Sequence, residues 1–512
     1  MELDQQVCSR ARLSRDARFD GKFFIAVLTT RIYCRPICPA RTCKESNVVY
    51  YPTAAAAAEA GYRPCLRCRP ESSPGCPAWT GTQTTVSRAL RLISESGLED
   101  GGVDALADHL GVGARHLRRL FLKHLGASPS AVAHTRRLHF AKKLIDETAL
   151  PMGQIAIASG FGCVRRFNEA IRKVYRRTPT QIRRLARQRS EQAEDAYLFQ
   201  LDFRPPYNWN RILEFLAARA TPGVEVVQAG RYRRSISFGG HHGFVEVSFE
   251  EDKNALRAGV QFDDPRSLIF IIERIRAMFD LNADWSVIAR ALHADPMLAK
   301  PIQTEAGLRV PGCWDGFELT VRAILGQQVS VKGATTLAGR IAETFGQRFT
   351  PAPGLTHLFP TPEILAGADL TSIGLTRARG ETVRALARAV CDRRIRFEGV
   401  LDYGALRAQL CEIPGIGQWT AEYVAMRALS DPDAFPAGDL HLRRRAGNCT
   451  QRELERRSES WRPWRAYATM LLWQGVRDEP PSSPVRRRGF SPAGVAGSPA
   501  TATAGGSRSP TS

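Results

Sequence analysis

The amino-acid sequence predicts a multidomain α+β protein with a small cysteine-rich α/β domain, an all-α domain of two helix-turn-helix repeats, an antiparallel-sheet domain and an α-helical domain. Three observations support this prediction. The chain has 512 residues, which is too many for one hydrophobic core. Seven of its twelve cysteines lie within the first 76 residues. The spacing of apolar residues changes along the chain from helical to alternating and back to helical.

The composition limits the classes of function. Hydrophobic residues make up 43% of the chain, as in packed globular domains. Lys and Arg number 72 against 51 Asp and Glu, a formal net charge of +21, which favours a polyanionic partner. Nucleic acid is the commonest such partner, and an anionic membrane is the alternative. No apolar run is long enough to span a bilayer, and the N-terminus lacks a signal-peptide pattern. We therefore expect a cytoplasmic protein without a membrane partner.

Composition shifts divide the chain into five segments. A Pro/Gly-containing stretch ends the cysteine-rich part, a polar stretch at 188–196 separates the helical repeats from the strand-like part, and a Pro-, Ser-, Gly- and Ala-rich tail closes the chain. We expect the tail to be disordered. The predicted domain limits are 1–78, 82–187, 197–290, 291–477 and, for the tail, 478–512.

The N-terminal segment contains two strand-like runs, Phe23–Thr29 and Asn47–Tyr51, and an alanine-rich helix that ends at Gly61. Two closely spaced cysteine pairs supply the four thiolates of a tetrahedral zinc site. The alternative is a set of small buried apolar side chains, which is less consistent with cysteines paired beside Arg and Pro. Cys43 is a possible substitute ligand. The predicted zinc ligands are Cys34, Cys38, Cys65 and Cys68.

The same segment resembles a known family. The stretches FFIAV at 23–27, TTRIYCRPIC at 29–38 and GYRPCLRC at 61–68 are similar to the N-terminal domain of the Ada adaptive-response family. The resemblance implies that Cys34 is both a zinc ligand and the acceptor of a methyl group from methylphosphotriesters in DNA. A metal-bound thiolate is the nucleophile that such a transfer needs. We expect the phosphate backbone to be held by Arg35, Arg41 and Arg67.

Residues 82–187 contain a pattern that occurs twice, a short apolar helix, a glycine turn and a basic helix. This double repeat resembles the DNA-binding domain of AraC-type transcription regulators, which implies promoter DNA and RNA polymerase as candidate partners. Arg118 and Arg165 lie on the second helix of each repeat, where a groove or phosphates would be contacted. Eight basic and no acidic residues lie between Ala170 and Ser190, a run that alone is typical of a solvated helix face.

The strongest motif is LCEIPGIGQWTA at Leu410–Ala421. Gly415 and Gly417 allow a phosphate to approach backbone amides at the positive end of the next helix. This motif resembles the hairpin of the helix-hairpin-helix DNA glycosylase superfamily, in which a catalytic Asp follows some twenty residues later. Asp439 occupies that position. Its alternative role is that of a helix N-cap, and the two roles are compatible.

Several stretches from about residue 197 to 477 are similar to AlkA-type 3-methyladenine DNA glycosylases, among them RVPGCWDGFE at 309–318 and AILGQQVS at 323–330. The resemblance implies a base pocket near Trp419, Tyr423 and Trp473 and a DNA-wedging side chain at Gln328. Each aromatic residue taken alone is typical of an ordinary core, and Trp464 is assigned to the core. Since the wedge position is often apolar in this family, a glutamine there leaves the details of base flipping open.

These features predict a DNA alkylation-repair enzyme, a fusion of a methyl acceptor, an AraC-like DNA-binding domain and a monofunctional glycosylase that acts on alkylated double-stranded DNA. One alternative is a transcription regulator whose glycosylase half only binds DNA. A glycosylase for oxidised bases is another. The sequence does not determine the range of excised bases, the operator sequence or the oligomeric state.

Overall fold

A computed structural model describes residues 3–75, 85–95, 98, 102–187, 197–400 and 402–474. The predicted polar stretch at 188–196 and the predicted tail from 478 lie outside these residues. None of the helices in the described ranges combines the length and the apolar character that a bilayer-spanning segment needs.

The N-terminal unit contains a four-stranded sheet with the order β3-β1-β2-β4, antiparallel except for the β2–β4 pair. Its elements are α1 (Gln5–Ser14), β1 (Phe24–Val27), β2 (Ile32–Cys34), β3 (Val48–Tyr51), α2 (Ala54–Glu59) and β4 (Arg63–Pro64). The alanine run of α2 is capped by Thr53, whose hydroxyl accepts a hydrogen bond from Ala56 N at 3.0 Å. The two predicted strands and the helix are confirmed, whereas α1, β2 and β4 were not predicted.

The next unit is all-α and contains both predicted helix-turn-helix repeats. Each repeat turns at a glycine with left-handed backbone, Gly111 (φ +67°) and Gly160 (φ +75°). The 19-residue helix α6 joins the repeats. The helices are α3 (Thr85–Glu95), α4 (Gly102–His109), α5 (Ala114–Leu125), α6 (Pro129–Glu147), α7 (Met152–Ala158), α8 (Val164–Tyr175) and α9 (Pro179–Arg187).

An antiparallel five-stranded sheet follows, in the order β5-β9-β8-β7-β6, as the alternating apolar pattern predicts. One helix, α10, interrupts the strand sequence after β5. The elements are β5 (Tyr197–Asp202), α10 (Trp209–Ala217), β6 (Glu225–Gln228), β7 (Arg231–Phe238), β8 (His241–Glu250) and β9 (Ala255–Phe262).

The described chain beyond β9 is mainly helical. Its first helix packs in the same apolar cluster as the five-stranded sheet, and the helices that follow surround the largest apolar cluster of the described chain. The helices are α11 (Leu268–Met278), α12 (Trp285–Leu292), α13 (Pro296–Thr304), α14 (Gly316–Leu325), α15 (Val331–Phe345), α16 (Pro362–Gly367), α17 (Arg377–Cys391), α18 (Tyr403–Cys411), α19 (Gln418–Ala428), α20 (Leu440–Arg445), α21 (Gln451–Ser458) and α22 (Arg465–Trp473). Trp464 is 7% exposed and belongs to this core, as predicted.

The second helix-turn-helix repeat shares its core with the five-stranded sheet. One apolar cluster contains Phe167 and Ile171 of α8 together with Phe199 of β5 and Val245 of β8. The sequence suggested two units separated by a linker, because a shared core between segments distant in sequence leaves no local signal. Separating the N-terminal half from the sheet would expose buried apolar side chains of both.

Candidate active sites and DNA-contacting surfaces

The four predicted zinc ligands come together at one end of the N-terminal sheet. Their sulfur atoms all lie within 4.8 Å of one another, and the participating residues are Cys34, Cys38, Cys65 and Cys68. Backbone N–H groups of Arg35 and Arg67 donate to the sulfurs of Cys68 and Cys65, each at 3.4 Å. Such donors favour the thiolate form of cysteine. A compact four-sulfur donor set fits a tetrahedral zinc ion.

Strand and turn geometry determines which cysteines meet. Cys34 is the last residue of β2, and β4 pairs with β2 and leads into the second cysteine pair. Cys34 remains partly exposed, whereas Cys65 and Cys68 are buried. Cys43, the possible substitute ligand, is not part of the four-sulfur group, and its sulfur lies 4.0 Å from Arg12 Nη1.

The three arginines expected at the phosphate backbone have different environments. Arg41 and Arg67 are exposed. Arg35 is only 4% exposed, and its guanidinium pairs with Asp20 and, at 2.7 Å, with Asp202 of β5. In this arrangement the guanidinium of Arg35 joins the cysteine-rich unit to the five-stranded sheet, and it is not available for the expected phosphate contact.

Replacing Arg35 by methionine is expected to destabilise the protein by about 3–5 kcal/mol, because two buried carboxylates would lose their cation. Urea unfolding followed by tryptophan fluorescence measures the change. The matched control is Arg41→Met, an exposed arginine of the same unit, for which we expect about 0.5 kcal/mol or less. Equal small effects of both substitutions would contradict a stabilising role for the buried pair.

Each predicted recognition helix presents a basic face to solvent. Helix α5 buries Leu117 and Phe121 and leaves Arg118 exposed. Helix α8 buries Phe167 and Ile171 in the same way, and Arg165 is exposed. The i, i+4 spacing of the apolar residues places these arginines away from the core, where DNA phosphates or base edges can reach them.

The Pro-Gly-Ile-Gly turn joins α18 to α19 as the motif predicts. Gly415 has φ +93°, and a Cβ at this position would lie 2.2 Å from the hydroxyl of Thr382, so only glycine fits. Helix α19 begins after Gly417, which provides no side-chain cap. The first backbone N–H groups of α19 have no partner within the helix, so they are available to an anion at this positive helix end.

Asp439 lies at the N-terminus of α20, where its side chain has two roles. One carboxylate oxygen accepts hydrogen bonds from Leu442 N at 3.0 Å and from the indole N–H of Trp473 at 3.3 Å. The other accepts the indole N–H of Trp419 at 3.0 Å. Asp439 is therefore a helix cap, and it also lies between two aromatic side chains predicted from sequence.

The three predicted pocket aromatics form a continuous group. The rings of Trp419 and Tyr423 are stacked, with centroids 5.5 Å apart and an interplanar angle of 10°. The rings of Tyr423 and Trp473 are 6.3 Å apart. Trp419 and Tyr423 belong to α19 and Trp473 belongs to α22. Both tryptophans also contact the carboxylate of Asp439. Gln328 lies elsewhere, exposed at the turn between α14 and α15.

Sequence reasoning missed the cation behind the aromatic group. Arg427 is 4% exposed, and it donates to the hydroxyl of Tyr423 at 2.7 Å and to the carbonyl of Pro311 at 2.7 Å. Burial raises the pKa of Tyr423, but Arg427 and Arg219 lower it, and the resulting pKa lies below the usual value. The i, i+4 spacing of Tyr423 and Arg427 is the one sequence signal that could have indicated this pair.

Four family models match the chain. They are the metal-binding domain of Ada (residues 7–71), a helix-turn-helix domain (106–185), the AlkA N-terminal domain (198–315) and the HhH-GPD superfamily of base excision DNA repair proteins (321–465). Three of these matches each fall within one of the structural units described above, whereas the AlkA N-terminal match covers the five-stranded sheet and continues through α11, α12 and α13.

Similar curated proteins cover either most of the chain or parts of it. A probable bifunctional transcriptional activator/DNA repair enzyme AlkA of Mycobacterium tuberculosis is 42% identical over 481 residues, which is 92% of this chain and 97% of the relative. DNA-3-methyladenine glycosylase 2 of Escherichia coli is 34% identical over 54% of this chain and 96% of its own length. The bifunctional transcriptional activator/DNA repair enzyme Ada of Escherichia coli is 40% identical over 23% of this chain and 32% of its own length.

Proposed function

We propose that this chain, which belongs to the family of bifunctional transcriptional activator/DNA repair enzymes, releases 3-methyladenine and related alkylated bases from DNA. We also propose that it transfers methyl groups from methylphosphotriesters to Cys34. Its domains are a zinc-binding domain, a helix-turn-helix domain and a DNA glycosylase. The observation that supports base release is the position of Asp439 between Trp419 and Trp473, beyond the hairpin. Incubation with methylated duplex DNA and chromatography of the released bases tests the proposal. Absence of free base would favour the alternative in which this half only binds DNA.

Base release requires the damaged nucleotide to leave the duplex. The amides at the start of α19 hold a phosphate, and Gln328 projects from an exposed turn where it can enter the gap in the base stack. An alkylated purine carries a positive charge, which favours stacking on the faces of Trp419 and Tyr423. The same charge makes the base a good leaving group without prior protonation.

The carboxylate of Asp439 acts on the sugar. As the bond between C1′ and the base breaks, positive charge develops on the sugar, and a carboxylate stabilises it or orients the attacking water. Water adds its oxygen to C1′ and loses a proton, and the base departs with the bonding electrons. The indole donors of Trp419 and Trp473 keep the carboxylate in place. One carboxylate is sufficient because the leaving base needs no acid.

Methyl transfer is proposed at the sulfur of Cys34, a partly exposed residue. When zinc is bound, it keeps the four cysteines deprotonated at neutral pH. The Cys34 thiolate attacks the methyl carbon of a phosphotriester, a C–S bond forms, the C–O bond breaks, and the phosphodiester leaves with the electron pair. The exposed Arg41 and Arg67 are proposed to hold the phosphate group during this step.

Promoter DNA is the proposed ligand of the helix-turn-helix domain, with Arg118 and Arg165 among its contacts and RNA polymerase as a proposed partner. We also propose the division 1–78, 82–187, 197–290, 291–477 and 478–512 as the working domain limits. The family match at 106–185 lies within the second of these segments, and the match at 198–315 covers the third and extends past its limit at 290.

The glycosylase is expected to leave an intact abasic site and not to cut the strand. Related bifunctional enzymes use a hairpin lysine that forms a Schiff base with the sugar. Here Gln418 and Trp419 occupy the start of α19, and neither side chain can form an imine. Borohydride added during turnover should trap no protein–DNA adduct, whereas a lysine-containing lyase treated in parallel should give one. A trapped adduct of this chain would refute the prediction.

A further inference from the structure

A hydrogen-bonded link connects the turn between α14 and α15 to the hairpin between α18 and α19. The first turn, residues 326–330, contains Gln328 and is called the wedge turn below. The side-chain nitrogen of Gln327 donates to the carbonyl of Gly415 at 2.9 Å and to the hydroxyl of Thr420 at 3.1 Å. A carbonyl oxygen only accepts hydrogen bonds, so the amide nitrogen must face it. Gln327, the residue that precedes Gln328, is therefore bonded both to the hairpin turn at Gly415 and to the first turn of α19 at Thr420.

A second link holds the same turn from α17. Arg379 donates to the backbone carbonyl of Gln327 at 2.7 Å. Thr382, one helical turn further along α17, donates to the carbonyl of Pro414 at 2.9 Å. The wedge turn and the hairpin are thus each bonded to α17 and also to each other.

The backbone at Gln328 needs such support. Its φ is +56°, a left-handed conformation that a residue with a side chain rarely adopts unless the surroundings impose it. Unlike an apolar wedge, glutamine gains little from replacing a base in the stack. Insertion of this side chain therefore depends on how the turn is held.

We propose that Gln327 is a positioning residue that couples phosphate binding at the hairpin to insertion of Gln328 into the duplex. A phosphate bound at α19 fixes the Gly415–Thr420 segment, and Gln327 transmits that position to the wedge turn. This inference rests on the proposed base release. It predicts that Gln327 matters only when a paired base must be displaced.

The test compares two duplexes that each contain one 7-methylguanine, opposite cytosine in the first and opposite an abasic analogue in the second. Gln327→Leu is expected to lower the single-turnover rate about tenfold on the paired lesion and less than about threefold on the unopposed lesion, as expected for the loss of one or two hydrogen bonds. Fluorescence of 2-aminopurine beside the lesion should show slower flipping on the paired duplex. Gln347→Leu, an exposed glutamine of the same domain, is the matched control and should match the wild type.

Arg379→Met removes the other link without changing Gln327, and it should give the same paired-lesion defect. The measured quantity is the ratio of the rates on the paired and the unopposed lesion. A general loss of folding lowers both rates equally and leaves this ratio unchanged. Equal losses on both duplexes, or no loss in either variant, would overturn the coupling. Failure of the wild-type protein to release base from either duplex would instead refute the proposed glycosylase function.

Discussion

Asp439→Asn is expected to lower the rate of base release roughly 10²- to 10³-fold or more and to leave DNA binding nearly unchanged. The substitution removes the negative charge that would stabilise the sugar in the transition state. It leaves in place the hairpin amides and the aromatic group, which are the groups that we propose bind DNA. Single-turnover release of methylated bases gives the rate, and a fluorescence-anisotropy titration gives the affinity.

The structure also predicts how the asparagine will be oriented. Its carbonyl oxygen can keep the cap on Leu442 N, so its NH₂ group would face the indole N–H of Trp419. Two donors would then oppose each other, and a small loss of stability should accompany the loss of rate. Asp392→Asn, an exposed aspartate of the same domain, is the matched control. Near-normal turnover by Asp439→Asn would show that another residue stabilises the sugar.

Cys34→Ser is expected to abolish methyl transfer from phosphotriesters while base release continues. A serine hydroxyl is a far weaker nucleophile than a thiolate at neutral pH. Cys43→Ser is the matched control, because Cys43 belongs to the same unit but lies outside the four-sulfur group. Incubation with DNA carrying labelled methylphosphotriesters measures the label transferred to protein. Methyl transfer to the Cys34→Ser variant, or loss of methyl transfer in the Cys43→Ser variant, would show that another cysteine is the acceptor.

Methylation of Cys34 is also expected to tighten DNA binding. Four thiolates around one zinc ion have a formal charge of about −2, and conversion of Cys34 to a thioether removes about one negative charge. Repulsion of phosphates falls, so the helix-turn-helix domain should bind promoter DNA more strongly. Since a methyl group transferred to sulfur is not released again, we expect a stoichiometric response, with one methyl group accepted per molecule.

The affinity of the full-length protein for DNA, measured before and after methylation over a salt series, tests this electrostatic effect. The full chain is required because α8 shares its core with the five-stranded sheet. The gain in affinity should shrink as salt screens the charges. Equal affinities before and after methylation, or a gain that is independent of salt, would contradict the charge argument even if transfer occurs.

The sequence was most informative where function depends on local spacing. The Cys34-x3-Cys38 and Cys65-x2-Cys68 pairs predicted a metal site, and the four sulfurs are found together. The Pro-Gly-Ile-Gly motif predicted a turn between two helices, and the structure has that turn, in which Gly415 has the left-handed backbone that favours glycine. A short motif determines its own backbone geometry, so such features can be predicted without a structure.

Resemblance to known families extended the prediction to residues far apart in sequence. It indicated Asp439, Trp419 and Trp473 as members of one site, and the structure places both indole N–H groups on the carboxylate. Spacing alone could not have done so, because α20 and α22 meet α19 only through the packing of the helical domain. Arg427 and Gln327 were missed for the same reason, since they contact the site from behind or from a neighbouring turn.

The sequence by itself determined the kinds of unit in this protein, their order, the metal-binding cysteines and the hairpin, since each depends on residue types at fixed short spacings. Only the tertiary structure decided the environment of Arg35. A basic side chain next to the predicted nucleophile suggests a phosphate contact, but Asp20 and Asp202 enclose it. The strength of an ion pair depends on the distance between the charges in space, and burial increases it. Folding brings Asp20 and Asp202 close to Arg35, and these carboxylates, not the neighbours of Arg35 in sequence, determine its contacts.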